Sequence, residues 1–145
     1  MKKILLIVTI CLAFACKKKT VSEVVDITTY NWPLASATIT PAKVVDGKSE
    51  TNLMLISGSS SCLNNNFTLV FSKDGSYAFT STGPLCDMIS FKNAKWTKTG
   101  NEIKLDDGFG HISIYNLSGN IITNNYVYTE NNITYTVSYT YTAKK

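Results

Sequence analysis

Apolar and polar residues alternate along most of this chain with a period of two, the spacing of strands that bury one face. The last run is the clearest. Ile133, Tyr135, Val137, Tyr139 and Tyr141 stand on one face, and Thr134, Thr136, Ser138, Thr140 and Thr142 on the other. Before it, a strand over 121–129 ends at the turn Glu130-Asn131-Asn132, and a strand over 111–117 ends at Ser118-Gly119-Asn120. Ala94 and Trp96 alternate with polar residues, Lys98-Thr99-Gly100-Asn101 turns the chain, and Ile103 and Leu105 alternate back. A first strand reads from Tyr30 to Ile39, with Pro33 confining that part to an edge or a bulge. Residues 42–61 are harder to place, and Leu53-Met54-Leu55-Ile56 is too short to type by period. No segment carries a helical period. The pattern predicts an all-β domain: a single antiparallel meander of eight or nine strands that closes into a barrel, with a β-sandwich as the alternative.

One hairpin can be registered from parity alone. Phe67, Leu69 and Phe71 precede Ser72-Lys73-Asp74-Gly75-Ser76, and Tyr77 and Phe79 follow it. If the bulky residues share a face, a three-residue loop Lys73-Asp74-Gly75 sets Phe71 opposite Tyr77 and Leu69 opposite Phe79, with Gly75 in the left-handed conformation. A two-residue loop splits the aromatics between faces. The same register sets Cys62 opposite Cys86, which predicts a disulfide tying the loops at the open end of the hairpin. Closing a loop of about 25 residues contributes roughly 3 kcal/mol in the chain-entropy model.

The N-terminus changes the setting. Met1-Lys2-Lys3 is a positive segment, and the apolar run from Ile4 to Ala15 is too short to span a bilayer. It has the length of a secretory core segment. Ala15-Cys16 closes that run and resembles a lipobox, the looser form found in lipoproteins of the Bacteroidota. The resemblance implies cleavage before Cys16 and acylation of its sulfur, palmitate being the common acyl chain. The chain then divides into a signal peptide over 1–15, a lipidated Cys16 and tether over 16–27, and a β-domain over 28–145. Two or more acyl chains anchor stably. Lys17–Lys19 either meet anionic headgroups or serve as a solvated spacer. Surface-exported lipoproteins of the Bacteroidota tend to carry acidic residues soon after the Cys, so with Lys17–Lys19 there instead the resemblance implies the periplasmic face of the outer membrane over surface exposure.

Composition then excludes several classes. The formal net charge of +4 comes from the leader and tether. From Thr20 onward nine lysines face ten acidic residues, so there is no basic face for nucleic acid. Cys11 leaves with the signal peptide and Cys16 takes lipid, so Cys62 and Cys86 remain as an even pair in an oxidising compartment. His111 is the only histidine, which argues against a zinc site, and no cofactor is expected. Asp106-Asp107-Gly108 lacks the ligand spacing of a calcium loop and reads as a turn. The other acids also sit in turns or beside lysines, so no catalytic constellation stands out and a non-enzymatic protein is expected.

Asn31-Trp32, the run 71–77, the Cys62/Cys86 pair and the run 96–105 together resemble the lipocalin-like domain of small Bacteroidota lipoproteins, over roughly residues 28–142. Tyr30 stands where true lipocalins carry Gly, and no Arg exists to pack on Trp32. The resemblance implies a lipocalin-like barrel but not its ligand cavity; the leading expectation is that the barrel binds a small apolar or amphipathic molecule, with Trp32, Phe71, Tyr77 and Trp96 as candidate ligand contacts at one mouth. The alternative is an envelope interaction protein of the same fold, with a filled core and a protein or glycan partner at its loops. The tyrosines of the last strand read as its buried face or as a stacking platform.

Overall fold

The computed structural model describes residues 25–56, 62–82 and 93–145. Its strands are β1 (Asn31–Val45), β2 (Lys48–Asn52), β3 (Thr68–Phe71), β4 (Tyr77–Thr80), β5 (Lys95–Thr99), β6 (Glu102–Asp106), β7 (Ile112–Ser118), β8 (Ile121–Glu130) and β9 (Ile133–Thr142). Every pairing is antiparallel, in the order β4-β3-β1-β9-β8-β7-β6-β5, with β2 also on β1. A bridge between Ser76 and Lys95 joins the two ends of that order, and the Trp96 N–H donates to the Gly75 carbonyl at 2.9 Å. The sheet therefore nearly closes into a barrel, as the alternation predicts.

β1 is longer than the first strand read from sequence. Its first residues pair with β3 and its last with β2, both on the edge away from β9. β2 and β3 thus follow one another along β1, and the harder stretch between them begins with a 3₁₀ turn at Leu53–Leu55. The Asn52 side chain caps that turn, accepting from the Met54 N–H at 3.0 Å. Pro33 sits just before the register shift between Leu34 and Ser36 in the β1–β9 ladder. A residue without an N–H is tolerated where the ladder is interrupted.

The β3–β4 hairpin has the predicted register, with Phe71 opposite Tyr77 and Leu69 opposite Phe79. The Ser72 N–H donates to the Ser76 carbonyl at 2.9 Å, and the Gly75 N–H donates to the Ser72 carbonyl at 3.1 Å. Gly75 has φ +81°, which an L side chain rarely adopts. The Asp74 carboxylate accepts from the Ser76 N–H and hydroxyl, holding the turn.

The core runs along the inner faces. Trp32, Ala37 and Ile39 of β1, Leu69 of β3, Ile103 and Leu105 of β6, Ile122 of β8, and Val137 and Tyr141 of β9 are buried. The chain enters at one end through a 3₁₀ turn over Ile27–Thr29, capped by Asp26. Ile27 is buried there, and the Trp32 indole N–H donates to its carbonyl at 3.0 Å. The turns after β3, β5 and β7 share this entry end. The turns after β1, β6 and β8 lie at the opposite, far end.

Candidate functional site

The two ends of the barrel differ. At the entry end, Trp32, Phe71, Tyr77 and Trp96 come together. Phe71 faces Tyr77 across the hairpin, and the Trp96 ring meets Phe71 edge-on at 5.4 Å. Trp32 lies opposite Leu69 on the same inner face. Exposure is 0% for Trp32, 2% for Phe71 and 8% for Tyr77, so a ligand touching them has to displace core side chains. Trp96 is half-buried, and its indole N–H donates to the Ser72 carbonyl at 3.1 Å. Beside it a shallow groove of about 400 Å³ is lined by Val25, Asp26, Ile27, Trp96 and Lys98.

The far end is built from ladders of unequal length. β8 pairs with β9 over its whole length, from Ile121–Thr142 to Glu130–Ile133. With β7 it pairs only at residues 121–123. Beyond that point the Asn124 side chain donates to the Ile114 carbonyl at 2.8 Å in place of a ladder bond. β8 therefore parts from β7 beyond Thr123 while it stays paired with β9 to its end.

The inner faces of β8 and β9 carry tyrosines. Tyr126 and Tyr128 alternate with outward residues on β8, and Tyr135, Tyr139 and Tyr141 do so on β9. Burial falls along β8 from Ile122 and Asn124 to Tyr126, which is 43% exposed although it faces inward. The rings form a continuous series. Tyr139 packs on Tyr141 at 6.5 Å and on Tyr126 at 5.9 Å, Tyr126 on Tyr128 at 6.2 Å, and Tyr128 on Tyr135 at 5.3 Å. Burial pushes the phenols of Tyr115, Tyr139 and Tyr141 well above their ordinary range, so they are neutral donors at physiological pH.

A charge pair stands at the rim of this wall. The Lys43 ammonium bonds the Glu130 carboxylate at 2.7 Å and lies 5.9 Å from the centre of the Tyr135 ring. The hydrogen bond that the Lys43 ammonium donates to Glu130 raises the Lys43 pKa, so the ammonium keeps its proton. In the β6–β7 loop, Asp107 accepts from the Phe109 N–H at 2.8 Å and bonds the His111 ring at 2.7 Å. Among the described residues, no cluster of His, Cys, Asp and Glu is placed to hold a metal ion.

Sequence reasoning weighed the tyrosines of β9 but passed over Lys43, Tyr126 and Tyr128. The signal was available in part: the turn at Asn131-Asn132 sets the β8–β9 register, and parity then puts Tyr126 and Tyr128 on the face of Tyr135. Cys16 and Cys86 lie outside the described residues. Cys62 lies beside the end of β4, where the Ser81 hydroxyl donates to its carbonyl at 3.3 Å. No family model, curated protein or solved structure matches the chain.

Proposed function

We propose that this protein is a membrane-anchored, non-enzymatic, lipocalin-like lipoprotein that binds a small apolar or amphipathic molecule at the far end of its barrel. One observation carries the binding reading: an inward-facing tyrosine wall keeps exposed ring surface above a filled core. Tyrosine suits such a role because it offers an apolar face and a polar tip on a side chain with few rotatable bonds. Native mass spectrometry of the protein from its own envelope, with calorimetric titration of apolar and amphipathic probes, tests it. A retained small molecule, or saturable binding weakened in Tyr126→Ala, is expected. No retained molecule and no heat from any probe would overturn the reading.

In this proposal Cys16 carries the lipid that holds the domain to the outer membrane, on its periplasmic face, and a Cys62–Cys86 disulfide ties the segment before β3 to the one after β4. The proximity of Cys62 to Ser81, a few residues before Cys86, supports the bridge. Peptide mapping of the exported protein without reduction is expected to find Cys16 acylated at a new N-terminus and Cys62 joined to Cys86. Cys16→Ser is expected to release the protein from membranes. Wild-type protein that takes up no labelled fatty acid would sink the anchor.

A second reading, an envelope interaction protein with a partner at its loops, is favoured by Phe109, which is 73% exposed at the tip of the β6–β7 loop. Capture of a defined envelope partner that Phe109→Ser abolishes, with no small molecule retained, separates it from the first.

A further inference from the structure

The chemistry of the far-end wall narrows the class of ligand. We propose that it takes a flat aromatic ring bearing an anionic group, stacked on Tyr126 and Tyr128 with its anion at the Lys43 ammonium. This rests on the binding reading above and names its ligand class.

Ring orientation is the first ground. Planes are inclined by 28° between Tyr126 and Tyr128, 26° between Tyr128 and Tyr135, and 34° between Tyr126 and Tyr139. On the β3–β4 side the pairs are mixed, at 74° for Phe71 with Trp96, 86° for Tyr77 with Phe79 and 13° for Phe67 with Phe79. Edge-on pairs fill a core. A series of rings stacked on one another that ends at the exposed Tyr126 can be extended there by another ring through offset stacking. The walls also lack what an acyl chain needs. Val137, opposite Tyr126, is buried, and the exposed aliphatic on the inner face is Ile133, at the rim.

Charge is the second ground. The Lys43 ammonium lies 5.9 Å from the centre of the Tyr135 ring, which stacks on Tyr128 at 5.3 Å. An anionic substituent on a ring stacked at Tyr126 and Tyr128 therefore meets the Lys43 ammonium and the tyrosine hydroxyls of the wall. Glu130 competes for that ammonium from the exposed rim. Its carboxylate sets a threshold: neutral rings stack without disturbing the pair, and anionic rings gain by sharing Lys43.

Calorimetry of the mature chain with 2-naphthoate, 2-naphthylmethanol and dodecanoate separates the possibilities. Naphthoate is expected to bind more tightly than the uncharged alcohol, and dodecanoate more weakly than either. Tyr126→Ala should weaken both ring probes by about tenfold, while Tyr126→Phe, which keeps the ring, should not. Lys43→Met should erase the preference for naphthoate over the alcohol, and Glu130→Gln should widen it. Circular dichroism of each variant checks that the barrel remains folded. Dodecanoate binding more tightly than naphthoate would overturn the aromatic ligand and leave the binding reading standing. An unchanged preference in Lys43→Met would overturn the anionic group. Failure of all three probes would count against the binding reading itself.

Discussion

Trp32→Ala is expected to cost about 3–5 kcal/mol, the range for removing a large buried aromatic. That lowers the melting temperature by roughly 10–20 °C for a domain of this size. Trp32 has no exposed surface, and it does two things at the entry end. Its ring fills the inner face beside Leu69, and its N–H satisfies the Ile27 carbonyl. Alanine leaves a cavity and also an unpaired carbonyl in the turn that closes that end. Trp32→Phe keeps most of the volume and loses the hydrogen bond, so it should cost less, about 1–3 kcal/mol. Denaturant unfolding of the two variants checks the order. A cost below about 1 kcal/mol for Trp32→Ala would mean that the entry end is not held from β1.

The second large effect is alkaline. The phenols of Tyr115 and Tyr141 are 6% and 1% exposed, and burial raises both above the ordinary value of 10.0. In the unfolded chain they ionise near that ordinary value, while in the barrel they stay protonated. Above it, the native state binds more protons than the unfolded state, so stability falls as pH rises. Each phenol contributes a loss of about 1.4 kcal/mol per pH unit in that window, and none below it. Absorbance of phenolate against pH should therefore find these tyrosines ionising together with the loss of circular dichroism. Ionisation of all tyrosines near pH 10, with the fold intact, would contradict their burial.

Legibility in the sequence followed how far a residue's fate depends on its own strand. The β3–β4 register could be read because Phe71, Gly75 and Tyr77 constrain one another across a short loop. The stripe from Tyr135 to Tyr141 could be read because one strand contains all of it. β7 was less transparent: Ile112 and Ile114 alternate as cleanly as Tyr115 and Leu117, yet only the latter pair is buried. The far-end wall was opaque for a similar reason. Whether Tyr126 is covered depends on where β7 stops pairing with β8, and nothing in the β8 pattern records that. Lys43 was hidden because the second half of β1 lacks a clear alternation, and its partner Glu130 belongs to a distant strand.

The β8–β9 hairpin has a further consequence for how the wall is assembled. Its loop is two residues, Asn131 and Asn132, with φ of 51° and 62°, the left-handed pair whose twist matches a right-twisted ribbon. Tyr126, Tyr128, Tyr135 and Tyr139 all lie on it, so the wall is made from contacts between residues near in sequence. Joining β1 to β9 instead closes a loop of about a hundred residues, which costs more chain entropy. Loop closure thus favours the tyrosine face over the ring of strands: the wall is local structure, and the barrel that frames it is the long-range part.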